Sequence, residues 1–318
     1  MLKTKILKEI KGDASHRKFF RKNFGNSTSI IVFSQKEKYK NLLIYDSINR
    51  ILNMNNILAP KLYSENFDQN YIEIQDFGDE TIYKTLNRKG IDKLKYFKKI
   101  VKVLKKIQLI KNRKVRNFNN RIYYIPKYEK KILFNEANLF CEWFINQKLS
   151  LDRRKRFQKK FKILVTKIIK RLNLKNNVFV HRDFHVSNLM LKNDQICVID
   201  SQDALVGNRA YDLASLIDDV RFKTPKSFKT KIFDFYLKTE KKIDQDQFKN
   251  DFEILSVLRN LKIIGIFTRL AIRDGKKKYL KLIPHAWKLI DYRIHNNKNL
   301  KTLRDLLVKN FKKEFNED

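Results

Sequence analysis

A short polar segment lies between two apolar stretches near the middle of the chain. Residues 178–191 read VFVHRDFHVSNLML, and eight consecutive residues of this segment include two of the five histidines, an arginine, an aspartate and an asparagine. Asp183 and Asn188 fall within it, and Asp200 ends the next apolar stretch. A carboxylate beside a hydroxyl group can accept its proton, and carboxylate and amide oxygens bind hard divalent cations. These residue types therefore predict acid–base chemistry beside a metal ion.

The spacing of these residues is that of an H-R-D-x-x-x-x-N loop followed by a metal-binding aspartate, an order used for phosphoryl transfer. In this pattern Asp183 would take the proton of the attacking hydroxyl, and Asn188 and Asp200 would bind Mg²⁺. Each residue on its own could equally fix the loop by a hydrogen bond. A metal site made by His181, Asp183 and His185 is the other chemical alternative. The ordered set favours phosphoryl transfer.

Three short apolar segments must position this loop. The segments NVFV (177–180), NLML (188–191) and QICVID (195–200) predict strands. A tight turn at Asn193-Asp194 is predicted between the last two. Asp200 then lies at the end of a strand, close in sequence to the polar loop that precedes this hairpin.

The chain changes character close to Glu80. The first 75 or so residues alternate in hydrophobicity as strands do, apart from helical spacing over 36–55, and helical periodicity dominates from Glu80 onward. We therefore predict an α+β fold with two lobes. Residues 1–78 would form a small β-rich nucleotide-binding lobe, and residues 79–318 a large helical lobe for catalysis and substrate binding.

Composition indicates a globular protein of the cytoplasm. Hydrophobic residues make up 42% of the 318 residues, enough for a sizeable core. Cys141 and Cys197 lack metal-type spacing and suit a reducing compartment. Lysines interrupt the apolar runs at the N-terminus, so neither a signal peptide nor membrane insertion is expected.

The formal net charge of +37 allows two interpretations. It could attract nucleic acid or an anionic membrane surface. However, lysine is spread from end to end, and no nucleic-acid-binding motif accompanies it. We therefore favour a lysine-rich composition without a specific nucleic-acid partner, and we expect a monomer.

Four blocks of the sequence resemble the aminoglycoside phosphotransferase family, which has a protein-kinase-like fold. The similarity is closest to the bacterial anomeric kinases of N-acetylmuramate and N-acetylglucosamine, which act in cell-wall recycling. The resemblance implies ATP- and Mg²⁺-dependent phosphorylation of an amino sugar, giving a sugar 1-phosphate. The blocks are GDASHRKFFR (12–21), HRDFHVSNLM (181–190), VIDSQDALVGNRAYDLASL (198–216) and LRNLKIIGIFTRLAIRDGKKKYL (258–280).

The resemblance also implies roles for individual residues. Asp183 would be the catalytic base, with Asn188 and Asp200 as metal ligands. Gly12 and Ser15 would lie in a turn over the phosphates, whose backbone N–H groups suit an anion. Other nucleotide-binding residues would be Arg17 and, in the connector between the lobes, Asp76 and Phe77.

The sequence departs from the kinase pattern at the third strand, TSIIVFS (28–34), which has no lysine to pair with the phosphates. Arg17, Arg21 or Lys36 could supply the missing positive charge, and Arg17 ranks first because it directly follows the predicted turn. Ser201 also stands where relatives usually carry phenylalanine.

Recognition of a sugar requires polar groups and aromatic faces around its hydroxyls. The aromatic segment RIYYIPKY (121–128) either lines the substrate entrance or packs in the core. Arg259 and Asn260 are expected to begin a helix. The candidates for sugar binding are Arg182, His185, Asp203, Arg259, Asn260 and Arg269.

Two other functions remain open at this point. The same fold could phosphorylate an aminoglycoside, choline, homoserine or methylthioribose. Polycationic aminoglycosides need an acidic pocket, and the 34 acidic against 71 basic residues disfavour that acceptor. A pseudokinase that binds anions or nucleic acid is the third interpretation, and the intact set of Asp183, Asn188 and Asp200 argues against it.

Overall fold

A computed structural model describes residues 7–10, 17–35, 40–240, 243–295 and 297–315. The chain divides into two compact units. The first holds Met1–Pro126 and Val178–Val206, and the second holds Lys127–Asn177 and Gly207–Asp318. The predicted lobe boundary between residues 78 and 79 stays a prediction.

The first unit begins with a five-stranded antiparallel sheet and one long helix. The strand order is β1-β2-β3-β5-β4, and helix α1 (Lys40–Met54) comes between β3 and β4 in the chain. Alternate apolar residues of β3 and β5 pack against Leu42 and Tyr45 of α1. The period of two in the strands and the helical spacing of α1 thus bury one common core. The strands are β1 (Leu7–Ile10), β2 (Lys18–Phe24), β3 (Ser27–Phe33), β4 (Leu62–Asn66) and β5 (Tyr71–Gln75).

The remaining elements of the first unit include the strands around the polar loop. Helices α2 (Ile82–Leu86) and α3 (Lys93–Leu109) precede the hairpin of β6 (Lys114–Arg116) and β7 (Ile122–Tyr124). The hairpin of β9 (Leu189–Lys192) and β10 (Gln195–Val198) turns at Asn193 and Asp194, whose φ angles are 49° and 59°. Such positive φ values are those of a tight hairpin turn, so this prediction is confirmed. Strand β8 (Asn176–Val180) pairs with β11 (Leu205–Asn208).

The second unit is helical. Phe140 lies in a π-helical segment (Phe140–Ile145) and packs its ring against an aromatic cluster of Phe144, Phe157, Phe161, Trp287 and Phe311. Aromatic side chains bury large areas, so this cluster is a major part of the core. The helices are α4 (Lys130–Leu139), α5 (Asn146–Lys148), α6 (Leu151–Ile169), α7 (Ala210–Ile217), α8 (Lys226–Lys238), α9 (Gln245–Arg273), α10 (Ile283–Ile294) and α11 (Lys301–Asn310).

Helix α9 is buried along most of its length. The expectation that Arg259 and Asn260 begin a helix is wrong, because α9 begins at Gln245. Asp244 caps it by accepting hydrogen bonds from the backbone N–H groups of Asp246 and Gln247. This capping residue precedes the strongly apolar part of the helix. A prediction based on the apolar residues alone therefore placed the start of the helix too late in the chain.

Gly265 allows α9 to approach the backbone where α4 ends. A Cβ atom at this position would lie 2.3 Å from the carbonyl carbon of Leu139 and 2.4 Å from its oxygen. We expect Gly265→Ala to lower the free energy of unfolding by about 1–3 kcal/mol or more, because backbone atoms cannot move aside as a side chain can. Urea unfolding measures this. Helix propensity alone favours alanine by about 1 kcal/mol, so a stabilised variant would contradict the steric argument.

Within the ranges given above, no helix is both long and apolar enough to cross a membrane.

Candidate active site

Backbone hydrogen bonds hold the polar loop and Asp200 together. The N–H of Ile199 donates to the carbonyl of Asn188 at 3.1 Å, and Nε2 of His181 lies 3.1 Å from the carbonyl oxygen of Ile199. The N–H and the carbonyl of Ile199, the residue before Asp200, are thus bonded to the two ends of the 181–188 loop, at Asn188 and at His181. The structure brings Asp183, Asn188 and Asp200 into one neighbourhood, as their spacing predicted.

The side chain of Asn188 is oriented by its own loop. Its Nδ2 donates to the carbonyl of Asp183 at 3.1 Å and lies 3.4 Å from Nε2 of His185. With the amide nitrogen engaged in this way, Oδ1 is the atom of Asn188 suited to a cation. The side chain of Asp200 is 40% exposed and offers carboxylate oxygens. An amide oxygen and a carboxylate are ligands that Mg²⁺ accepts, so these two residues fit the ion.

Two residues of this neighbourhood have left-handed backbone conformations. The φ angles are 79° at Arg182 and 61° at Asp200. A bulky residue such as arginine rarely adopts positive φ, at a cost of order 1–3 kcal/mol. The hydrogen bonds around Ile199 hold these conformations in place. Strain beside two carboxylates is typical of a functional site.

His181 is buried, and burial lowers the pKa of its imidazole although Asp183, Asp200 and Asp203 act in the opposite direction. The ring therefore stays neutral at pH 7. Protonation would place a charge in the interior, so the stability contributed by neutral His181 is lost as the pH falls below its ordinary value of 6.5. His181 thus has a positioning role between the loop and Ile199.

Arg17 is the ionic partner of Asp200. Its Nη2 lies 2.7 Å from Oδ1 of Asp200, and its Nη1 donates to Oε1 of Gln202 at 2.9 Å. The guanidinium carbon lies 5.7 Å from the ring centre of Phe19 and 5.2 Å from that of Tyr45. Arg17 is only 8% exposed. One buried cation is therefore placed directly beside the predicted metal ligand.

The sequence from residue 6 to residue 246 matches APH, the phosphotransferase enzyme family. The chain belongs to this family. It is therefore a small-molecule phosphotransferase.

Curated relatives of this phosphotransferase cover most of its length. The N-acetylmuramate/N-acetylglucosamine kinase of Neisseria meningitidis serogroup B is 29% identical over 283 residues, 86% of this chain and 80% of the relative. The protein of the same name from Pseudomonas aeruginosa is 26% identical over 302 residues, 93% of this chain and 86% of the relative.

Solved structures confirm the protein-kinase-like fold class. The ADP-bound aminoglycoside phosphotransferase APH(2'')-Ib matches with a TM-score of 0.61 at 15% identity, covering 91% of this chain and 95% of that one. A choline/ethanolamine kinase family protein from Mesorhizobium loti matches with a TM-score of 0.63 at 9% identity, covering 96% and 92%. At these identities the likeness concerns the fold alone.

The structure describes some of the residues that are predicted to bind the nucleotide, and their role stays a prediction. Asp76 is ion-paired with Arg21 at 2.6 Å and accepts the N–H of Gly78. Burial alone would raise the pKa of Asp76, but these hydrogen bonds outweigh burial and lower it. Phe77 packs with Met190 and Cys197. The residues Gly12, Ser15 and Lys36 lie outside the described residues.

Since Arg21 also contacts Asp79 at 2.8 Å, two carboxylates neutralise this arginine. Of the two described arginines considered as replacements for the third-strand lysine, Arg17 is the one beside the predicted metal ligand.

Three of the predicted sugar-binding residues lie in the first unit. Nη1 of Arg182 is 3.7 Å from Oδ1 of Asp203, whose Oδ2 accepts from Gln202. His185 is buried beside Asn188. All three residues are in or near the 181–188 loop, and their contact with a sugar stays a prediction.

The other three predicted sugar-binding residues lie on α9 in the second unit. Asn260 is buried, and its Nδ2 donates to the carbonyl of Ser256 at 2.9 Å. Arg259 is 4% exposed, and within the part of the chain that the structure describes its Nη1 has no hydrogen-bond partner. Arg269 is half-buried. Their role in binding an acceptor also stays a prediction.

Sequence reasoning missed Asn49 and Gln202, which fix the segment after Asp200. Ser201 donates its hydroxyl hydrogen to Oδ1 of Asn49 at 2.9 Å, which links this segment to α1, and Gln202 accepts from Arg17. Asn49 lies four residues after Tyr45, on the buried face of α1. A polar residue on an apolar helix face was the available signal, because buried polar groups need partners.

The alternative metal site of His181, Asp183 and His185 gains no support. Among the residues that can be described, no group of three or more His, Cys, Asp or Glu side chains is arranged to hold a metal ion.

Proposed function

We propose that this phosphotransferase uses ATP and Mg²⁺ to phosphorylate an amino sugar of the N-acetylmuramate or N-acetylglucosamine type at its anomeric hydroxyl. This proposal rests mainly on two observations: Ile199, the residue before Asp200, is hydrogen-bonded to His181 and Asn188, and Nδ2 of Asn188 donates to the carbonyl of Asp183. The names of the relatives that cover most of the chain support the amino sugar as acceptor.

In this proposal Asp183 orients the sugar hydroxyl and accepts its proton as the phosphoryl group is transferred. Asn188 and Asp200 would hold magnesium, which, when bound, neutralises charge on the phosphates of ATP. The hydrogen bonds of His181 and Ile199 keep the loop and Asp200 at a constant separation. Catalysis of phosphoryl transfer depends mainly on such positioning and on electrostatic stabilisation.

Further residues are proposed to bind the two substrates. Nucleotide binding is assigned to the turn that holds Gly12 and Ser15, to Arg17, and to the connector at Asp76 and Phe77. The carboxylate of Asp76 is occupied by Arg21, and its backbone carbonyl accepts a hydrogen bond from Nζ of Lys192 at 3.0 Å. Sugar binding is assigned to Arg182, His185, Asp203, Arg259, Asn260 and Arg269.

Phosphorus NMR tests this function. Incubation with Mg-ATP and a panel of amino sugars is expected to yield a sugar 1-phosphate from N-acetylmuramate or N-acetylglucosamine, identified by coupling of the phosphorus to the anomeric proton. The methyl glycoside of N-acetylglucosamine is a matched control because its anomeric oxygen cannot accept a phosphoryl group. Phosphorylation of that glycoside, or preference for an acceptor that is not an amino sugar, would refute the proposal.

A further inference from the structure

Arg17 connects three parts of the first unit at the predicted metal ligand. It lies directly before β2, its guanidinium packs between Phe19 and Tyr45, and its two terminal nitrogens bind Asp200 and Gln202. Arginine presents its donors as a rigid planar fork. The fork is thus aimed at the segment that begins with Asp200.

The bond from Arg17 uses the same carboxylate that would bind a metal ion. Oδ1 of Asp200 lies 2.7 Å from Nη2 of Arg17, and a metal ion would have to approach this carboxylate against the charge of the guanidinium. Arg17 is 8% exposed, so solvent screens this repulsion weakly. A divalent cation and Arg17 therefore compete for Asp200.

A guanidinium that is displaced from Asp200 can bind another anion. A second anion would replace the charge of Asp200 beside this buried cation. Phosphate oxygens are suitable acceptors because the planar fork can bind two of them at once. The third strand carries no lysine for this purpose, and Arg21 is already paired with Asp76 and Asp79.

We infer that Arg17 exchanges partners during substrate binding, from the carboxylate of Asp200 to a phosphate of the nucleotide, as the divalent ion takes its place on Asp200. This inference rests on the proposed function for the identity of the nucleotide. Arg17 is then the positioning residue that couples metal binding to nucleotide binding. It thus takes the place of the phosphate-binding lysine that the third strand lacks.

The exchange predicts two effects of opposite sign in the Arg17→Met variant. Mn²⁺, a paramagnetic substitute for Mg²⁺, is expected to bind the nucleotide-free variant about fivefold or more tightly than wild type, because its competitor is gone. A non-hydrolysable ATP analogue with saturating Mg²⁺ is expected to bind about tenfold more weakly, because a charge-assisted phosphate contact is lost. Electron paramagnetic resonance measures the first affinity and calorimetry the second.

Lys18→Met is the matched control. Lys18 is the adjacent residue and is exposed, so this change removes the same charge without touching Asp200 and should leave both affinities near wild type. Gln202→Leu supplies a second test if Arg17→Met folds poorly. It removes the hydrogen bond between Arg17 and Gln202 and should raise Mn²⁺ affinity by a smaller factor.

The outcomes separate this inference from the proposed function. Unchanged Mn²⁺ affinity in Arg17→Met and Gln202→Leu, or an increase equal to that of Lys18→Met, overturns the exchange. Tighter Mn²⁺ binding with unchanged nucleotide affinity overturns the transfer to phosphate. If wild type phosphorylates no amino sugar while the two opposite effects appear, the exchange stands and the assigned acceptor fails.

Discussion

Asp183→Asn is expected to lower kcat for sugar phosphorylation about a thousandfold, while the affinity for nucleotide changes little. General-base catalysis contributes about 10²–10⁴-fold, and asparagine cannot accept the proton. The base acts mainly in the transition state, so binding of the ground state is largely preserved. Initial-rate kinetics with saturating Mg-ATP measure kcat, and calorimetry measures nucleotide affinity.

Asp194→Asn is the control for this prediction. Asp194 lies in the turn of the β9–β10 hairpin, where its exposed carboxylate is paired with Lys99 at 2.7 Å. Asparagine tolerates the positive φ of that position, so the same chemical change should leave kcat near wild type. Wild-type kcat in Asp183→Asn, or an equal loss in both variants, would contradict the role of Asp183 as base.

The sheet of the first unit and the neighbourhood of the candidate active site were largely predictable, since local patterns determine both. Alternation in hydrophobicity marked β3 and β5, and Asn193-Asp194 marked a hairpin that the structure has at that position. Within the loop, the separation of Asp183 and Asn188 is short enough that sequence spacing already limits the distance between them. The position of Asp200 close to this loop was predictable as well, because a single hairpin connects the two.

Partners that are distant in sequence could not be predicted in this way. Arg17 and Asp200 are 183 positions apart, and either residue alone resembles a solvated charge in the sequence. The choice of partner depends on tertiary placement of β2 against the segment after β10. The same reasoning applies to Ser201 and Asn49, which are 152 positions apart. A local window cannot distinguish a buried polar pair from two exposed residues.

A buried charge cluster in the helical unit illustrates this limit. Asp218 is fully buried, and its carboxylate receives hydrogen bonds from Nε of Arg293 at 2.8 Å and from the hydroxyl of Ser256 at 2.7 Å. Nζ of Lys229 lies 3.2 Å from the other carboxylate oxygen. Two cations thus depend on one anion. Burial opposes ionisation of Asp218, but the charges of Arg293 and Lys229 outweigh burial and lower its pKa to about 2.

Asp218→Asn is therefore expected to lower the free energy of unfolding by about 3–5 kcal/mol at pH 7, because it leaves two buried cations without their counter-ion. Since the folded-state pKa is lowered, the stability from Asp218 is fully present above its ordinary value of 3.8 and is lost as the pH falls toward about 2. The variant should lack this part of the acid dependence. Urea unfolding at pH 7 and in steps down to pH 3 measures both effects.

Asp234→Asn, on the exposed side of α8, provides the comparison. Its free energy of unfolding should stay within about 0.5 kcal/mol of that of wild type. The contrast isolates burial, because the chemical change is the same in both variants. If Asp218→Asn unfolds like Asp234→Asn, water or rearranged side chains compensate the two cations, and the cluster is not a stabilising element. A large loss with unchanged acid dependence would mean that ionisation of Asp218 does not account for the effect.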